Sequence, residues 1–217
     1  MKEQYNFSQD QFNRSQTKWP IFENVIRNRF PNVKSITSAE AFTVNTEDGE
    51  KEVLTIDDLI FCVDAHVYLG NNNCFNVQTK TWGASHNNTV LFFLKKLYRS
   101  PEKNIIENGY YHEPSKYYFY PDFGNADYYM LLVEATSMVY MFNTTILKKM
   151  FCSEDVWKSA LIRNFPNNES QYVAIYRASE FSSLYDMYSK SIAYGQELLI
   201  STYKPLETNY DKSSAVA

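Results

Sequence analysis

Between residues 63 and 82 the chain alternates with a period of two. Val63, Ala65, Val67 and Leu69 interleave with Asp64, His66 and Tyr68, and further on Phe75, Val77 and Thr79 interleave with Asn76, Gln78 and Lys80. Successive side chains of an extended strand point to opposite faces, so the alternation predicts two half-buried strands. Between them lies Gly70-Asn71-Asn72-Asn73. Glycine and asparagine tolerate positive φ, and asparagine bonds its own backbone, which makes this segment a chain reversal. A hairpin centred on Asn71 sets Asp64 opposite Gln78, with Lys80 on the diagonal and within reach of a long side chain. A slip of one residue would turn Gln78 and Lys80 into the apolar layer, where an unpaired ammonium is costly, so the pattern selects this register.

The same reading divides the rest of the chain. Residues 1–16 are polar and expected to carry little structure. A helix is predicted over 17–30, with Phe22, Val25, Ile26 and Phe30 on one side and Pro31 ending it. Strands over 35–44 and 52–56 follow, joined by the acidic turn Glu47-Asp48-Gly49-Glu50. Residues 89–99 fit a strand or a helix, as short apolar runs do. The ring-rich stretch 109–123 reads as strands whose aromatics pack across to neighbours, with stacking on unpaired bases as the alternative. Residues 126–151 read as a strand, a Thr-Ser reversal, a second aromatic strand and a helix bearing Lys148 and Lys149. Two more helices, 154–164 opened by Ser153 and 182–200, flank a strand over 171–177. The tail 205–217 has little to bury and is expected to be disordered. The whole is one domain over 17–204 in a chain of 217 residues, an α/β fold with a mixed central sheet flanked by helices and additional helices towards the C-terminal end.

Composition narrows the chemistry. Aromatics make up 17%, with 18 Tyr and 15 Phe, while glycines number six. Neither G-x-x-x-x-G-K-S/T nor G-x-G-x-x-G occurs, so no nucleotide cofactor is expected. The net charge of -4 weighs against broad affinity for nucleic acid, because phosphate neutralisation drives non-specific binding. Lys95-Lys96, Arg99, Lys103 and Lys148-Lys149 still offer local basic surface, or simply solvated helix faces. Cys62, Cys74 and Cys152 form no C-x-x-C and leave an odd thiol, which argues against a disulfide framework or a zinc site. Cys62 and Cys74 are expected in strands as small buried hydrophobes. No apolar run is long enough to span a bilayer and the amino terminus is polar, so a cytoplasmic location, in a bacterial or phage-infected cell and away from membranes, is expected.

A carboxylate, an amide oxygen and an ammonium on one sheet face are what metal-dependent phosphodiester hydrolysis requires. The run CVDAHVYLG, followed by FNVQTKTW, resembles the core of the PD-(D/E)XK nuclease superfamily. The similarity is to the branch in which glutamine replaces the acidic residue of the D/E-x-K pair, as in resolvase-like and restriction-like endonucleases. ADYYMLLVEATSMVYMFNTTILKKMF follows in the order expected after the metal site of that branch, so the resemblance covers residues 17–151. It implies a restriction-endonuclease-like sheet and a metal-dependent DNA endonuclease, with branched or otherwise structured DNA among its substrates. Asp64 would be the metal-binding carboxylate, Gln78 would stand in for the second acidic ligand, and Lys80 would be the motif lysine. Asp58, a few positions before Asp64, is a further metal candidate, and Glu23 of the first helix is a further catalytic one. The implied cofactor is Mg2+, with Mn2+ as a substitute, and the implied partners are DNA and a second copy of the chain, because two strands need cutting.

Gln78 departs from the usual pattern. A neutral amide is a weaker cation ligand, so the rival reading is a catalytically silent nuclease-fold protein that acts as a binding or inhibitory module in virus–host conflict. A tyrosine-rich assembly protein is a third reading. The plain alternatives for single residues are a surface ion pair between Asp64 and Lys80, an i, i+4 helix pair between Glu23 and Arg27, a strand-entry role for Asp57 and Asp58, and a hydrogen-bonded neighbour in His66.

Overall fold

The computed structural model describes residues 9–39, 42–46, 49–53, 62–83, 88–97, 109–112, 117–165, 168–192 and 201–203. Helix α1 (Gln9–Arg29) leads into strand β1 (Val33–Ser38), a hairpin of β2 (Phe42–Thr46) and β3 (Gly49–Val53), and the predicted pair β4 (Ala65–Leu69) and β5 (Cys74–Trp82). Then come β6 (Thr89–Leu97), β7 (Tyr110–His112), β8 (Tyr117–Pro121), β9 (Tyr128–Val133), β10 (Met138–Asn143) and two short helices, α2 (Thr144–Met150) and α3 (Glu154–Lys158). Strands β11 (Leu161–Phe165) and β12 (Asn168–Arg177), helix α4 (Ala178–Ile192) and strand β13 (Ser201–Tyr203) complete the order.

Two sheets result. The first runs β1-β4-β5-β9-β10-β13 and is mixed, because β5 and β9 are parallel while its other neighbours are antiparallel. The second, β11-β12-β6-β8-β7, is antiparallel throughout. Parallel neighbours need a long crossover, usually a helix. Here, among the described residues, the crossover from β5 to β9 contains β6, β7 and β8.

Period-2 alternation in β9 and β10 separates two cores. Met130, Leu132, Val139 and Met141 join Val67, Phe75 and Val77 against Phe22, Val25 and Ile26 of α1. The intervening Tyr129, Leu131, Val133, Tyr140 and Phe142 turn the other way, with Trp82, into a core shared with the second sheet and with α2 and α4. Phe92 of β6 sits at its centre, with ring centroids 4.8 Å from Phe181, 5.3 Å from Tyr129 and 5.8 Å from Phe142. The first sheet is therefore covered by a helix on one face and by a second sheet with helices on the other, rather than by helices alone.

Local chemistry fixes the boundaries. Asn143 caps α2, its Oδ1 accepting from the backbone N–H groups of Thr145 and Ile146, which satisfies two of the helix's orphan donors. Ser137, at the Thr-Ser reversal, sits at φ 52° and lets β10 turn back on β9. The helix predicted over 154–164 stops at Lys158, and Ser153 makes no side-chain capping bond. Leu161 to Asn164 instead pair with β12, because a neighbouring strand offers those residues a ladder that outweighs their helical spacing. The segment 35–44 divides into β1 and β2, and α1 begins at Gln9 rather than at residue 17. Residues 1–8, Arg99, Lys103 and the tail 205–217 lie outside the described residues.

Candidate functional site

The hairpin carries the predicted register. Ala65 pairs with Val77, His66 with Asn76 and Val67 with Phe75, around a turn of 3-10 helix over Gly70–Asn72 in which Asn72 takes φ 58°. Extending that ladder by one residue sets Asp64 opposite Gln78. On β5, Phe75 and Val77 face α1. Gln78, Lys80 and Trp82 alternate onto the opposite face, where Trp82 enters the inter-sheet core.

Asp64 stands just before β4, and its carboxylate replaces a ladder acceptor. Its Oδ2 accepts from the backbone N–H of Thr79 at 2.6 Å and from the Thr79 hydroxyl at 2.9 Å. The main chain is anchored as well: Asp64 N–H donates to the Val77 carbonyl, and the Asp64 carbonyl accepts from Ala39 N–H. The side chain is thus oriented by four hydrogen bonds around it while only 5% of the residue is exposed. Among the described residues, Oδ1 has no hydrogen-bond partner.

Gln78 is 2% exposed and its Oε1 has no hydrogen-bond partner among the described residues. A buried acceptor left unpaired costs about 1–3 kcal/mol, and the hydroxyls of Tyr176 and Ser189 share that condition among the described residues. The parallel ladder sets Gln78 beside Tyr129. Burial, then the charges of Asp64 and Asp122, hold the Tyr129 phenol well above its ordinary range, so it is a neutral donor, and its O–H goes to the Leu91 carbonyl at 3.2 Å. Two carboxylates therefore act on the tyrosine that flanks Gln78.

Lys80 reaches across to the second sheet, with Nζ 6.0 Å from the centroid of the Phe93 ring. Nearby, Asp122 follows β8. Its Oδ1 takes an ion pair with Lys95 at 2.7 Å and the Cys62 thiol at 3.3 Å. Burial, reinforced by Asp122 and opposed by Lys95 and Lys80, pushes the Cys62 thiol up to about 11. That excludes Cys62 as a thiolate nucleophile near neutral pH. Burial works to lower the Lys95 pKa, but the hydrogen bond and charge of Asp122 outweigh it and raise it above the ordinary value, so Lys95 stays cationic. Cys62 also sits at φ 52°, a left-handed conformation that strains a residue with a Cβ and is often found at functional sites.

The strand register places Asp64, Gln78 and Lys80 on one face of the first sheet. It does not bring in Glu23, which sits on α1 across the sheet and is paired with Arg27 at 2.8 Å. Asp57 and Asp58 lie outside the described residues. His66 is a hydrogen-bonded neighbour, its Nδ1 2.8 Å from Asn76 Oδ1. The cysteine expectation is corrected: Cys74 is exposed at the start of β5, and Cys62 is half-buried and outside the strands. Of the basic residues, Lys95 is committed to Asp122, and Lys96 lies over the rings of Tyr117 at 4.1 Å and Tyr172 at 5.0 Å. The aromatic stretch packs across strands: Tyr118 and Phe119 are buried, so those rings are not offered to bases.

Sequence reasoning passed over Asp122. Its signal was that it is the one carboxylate among the ten residues YYFYPDFGNA. Among the described residues no three His, Cys, Asp or Glu side chains gather closely enough to hold a metal by themselves, and no helix is long and apolar enough to cross a membrane. No family model, characterised protein or solved structure matches the chain.

Proposed function

We propose that the chain is a metal-dependent DNA endonuclease of the PD-(D/E)XK type, in which Asp64 and Gln78 hold Mg2+, or Mn2+ in its place, and Lys80 serves the reacting phosphate. The observation that carries this reading is the orphaned Oε1 of Gln78, on the strand register that also brings in Asp64 and Lys80. The donor set suits a hard cation. Magnesium commonly takes one or two protein carboxylates, keeps several waters and binds substrate phosphate oxygens, so an acid, an amide oxygen and a polyanionic substrate are a sufficient set. When bound, the cation would polarise the scissile phosphate and lower the pKa of an attacking water.

The chain's own residues do the rest. The Thr79 N–H and hydroxyl fix one oxygen of Asp64, and a fixed carboxylate costs less to order around a ligand. Lys80, two residues beyond Gln78 on the same face, offers a charge to the negative oxygens of phosphorus as they gain density in the transition state. The mixed six-stranded sheet with α1 on one face also supports a restriction-endonuclease-like reading, although the other face is covered mainly by strands. A homodimer would present two such sites to the two strands of a duplex.

The silent-module reading has its own support in the near-complete burial of Asp64 and Gln78 and in the neutral amide where a second acid is usual. Digestion of linear, circular, single-stranded and four-way DNA with Mg2+ or Mn2+, and with chelator, separates the two. The endonuclease reading expects metal-dependent products from at least one substrate. DNA left intact throughout the panel, with the protein folded, would overturn it in favour of the silent module.

A further inference from the structure

The Lys80 ammonium lies over the ring of Phe93, a half-buried residue of β6, and the register of the second sheet sets what stands around that ring. Arg163 of β11 pairs with Val173 of β12, which pairs in turn with Phe93. Paired residues share a face, so Arg163 and Phe93 lie on one side of the sheet with Val173 between them. Two residues along β6, Lys95 pairs with Tyr120 of β8, and residues i and i+2 of a strand also share a face. Phe93 and Tyr120 are thus diagonal neighbours, and both are half-buried. Arg163 is exposed and makes no ion pair among the described residues. Asp122, whose backbone N–H donates to the Phe93 carbonyl, is already held by Lys95. Around the two rings, Lys80, Lys95 and Arg163 therefore outweigh Asp122 in charge.

Partly open rings set among cations match a nucleic-acid strand with unpaired bases, whose bases stack on the rings while its phosphates meet the charges. A duplex keeps its bases stacked on one another and meets the charges alone. We infer that this face of the second sheet holds an unpaired stretch of DNA, with one base on Phe93, a neighbouring base on Tyr120 and a phosphate on Arg163. The inference rests on the endonuclease reading for the role of Lys80 and adds to it a substrate class, DNA with a single-stranded segment. At 6.0 Å from the ring centroid the Lys80 ammonium is at the outer limit of a cation–π contact. An arriving base takes its place over Phe93, and the ammonium passes to the phosphate.

Fluorescence anisotropy with labelled DNA in the presence of a chelator tests this without cleavage, on a single-stranded oligonucleotide and a duplex of equal length. The wild type is expected to bind the single strand about tenfold tighter than the duplex. Phe93→Leu is expected to lose about tenfold on the single strand and little on the duplex. Arg163→Gln is expected to weaken single-strand binding and to lower the slope of log affinity against log salt by about one. Circular dichroism melts establish that each variant is folded. Wild-type affinity of Phe93→Leu for the single strand overturns the inference, as does a wild type that prefers the duplex or binds neither DNA. Should Phe93→Leu not fold, Arg163→Gln decides, because its side chain is exposed, and an unchanged salt slope there overturns the inference. Failure of binding here with metal-dependent products in the digestion panel removes this face and leaves the endonuclease reading standing. The expected binding without such products keeps the face and removes the nuclease.

Discussion

Gln78 is the residue on which the proposed chemistry turns, and its burial makes a prediction about stability. An acceptor that is 2% exposed and unpaired costs more than an apolar group of similar shape at that position. Gln78→Met is therefore expected to stabilise the metal-free protein by about 1 kcal/mol in urea denaturation. A loss of stability would mean that the amide oxygen is satisfied in solution and is not kept for a ligand. Much of the residue-scale picture was legible in the sequence. The alternation from 63 to 80 fixed the register centred on Asn71 because a slip of one residue inverts every side chain. Asp122 was not legible in that way. Its contact with Cys62 spans 60 positions, and no local periodicity reports a contact of that length.

At the scale of elements, the hairpin strands were readable because apolar and polar positions alternate along them, whereas β6 offers no such contrast. β4 and β5 alternate and were predicted. β6 is buried from Val90 to Phe92 without a break, so its sequence carried no period to separate strand from helix. The segment 161–164 shows the converse case, since pairing with β12 overrides its local preference. Helix α2 depends on local chemistry more than these strands do. Its seven residues are too few to be stable alone, and Asn143 satisfies two of its first N–H groups. Asn143→Ala is expected to cost about 1 kcal/mol in urea or thermal denaturation. No change would show that packing of Ile146, Leu147 and Met150 holds the helix without its cap.

For the molecule as a whole, the crossover sheet does two jobs. It covers the face of the first sheet that carries Gln78 and Lys80, and it carries Lys95 and Asp122, whose ion pair reaches the Cys62 thiol. The net charge of -4 leaves little long-range attraction for DNA, so the account places affinity in the few cations at the site rather than in a general basic surface. Lys80, set by the hairpin register on the same face as Asp64 and Gln78, is the residue proposed to act on the phosphate. The most direct test is the single-turnover rate of metal-dependent DNA cleavage by Lys80→Ala against wild type, with thermal melts to confirm an intact fold. The account predicts a rate lower by about a hundredfold or more, the effect of removing one preorganised charge from a developing oxyanion. Equal rates for the two proteins would contradict it.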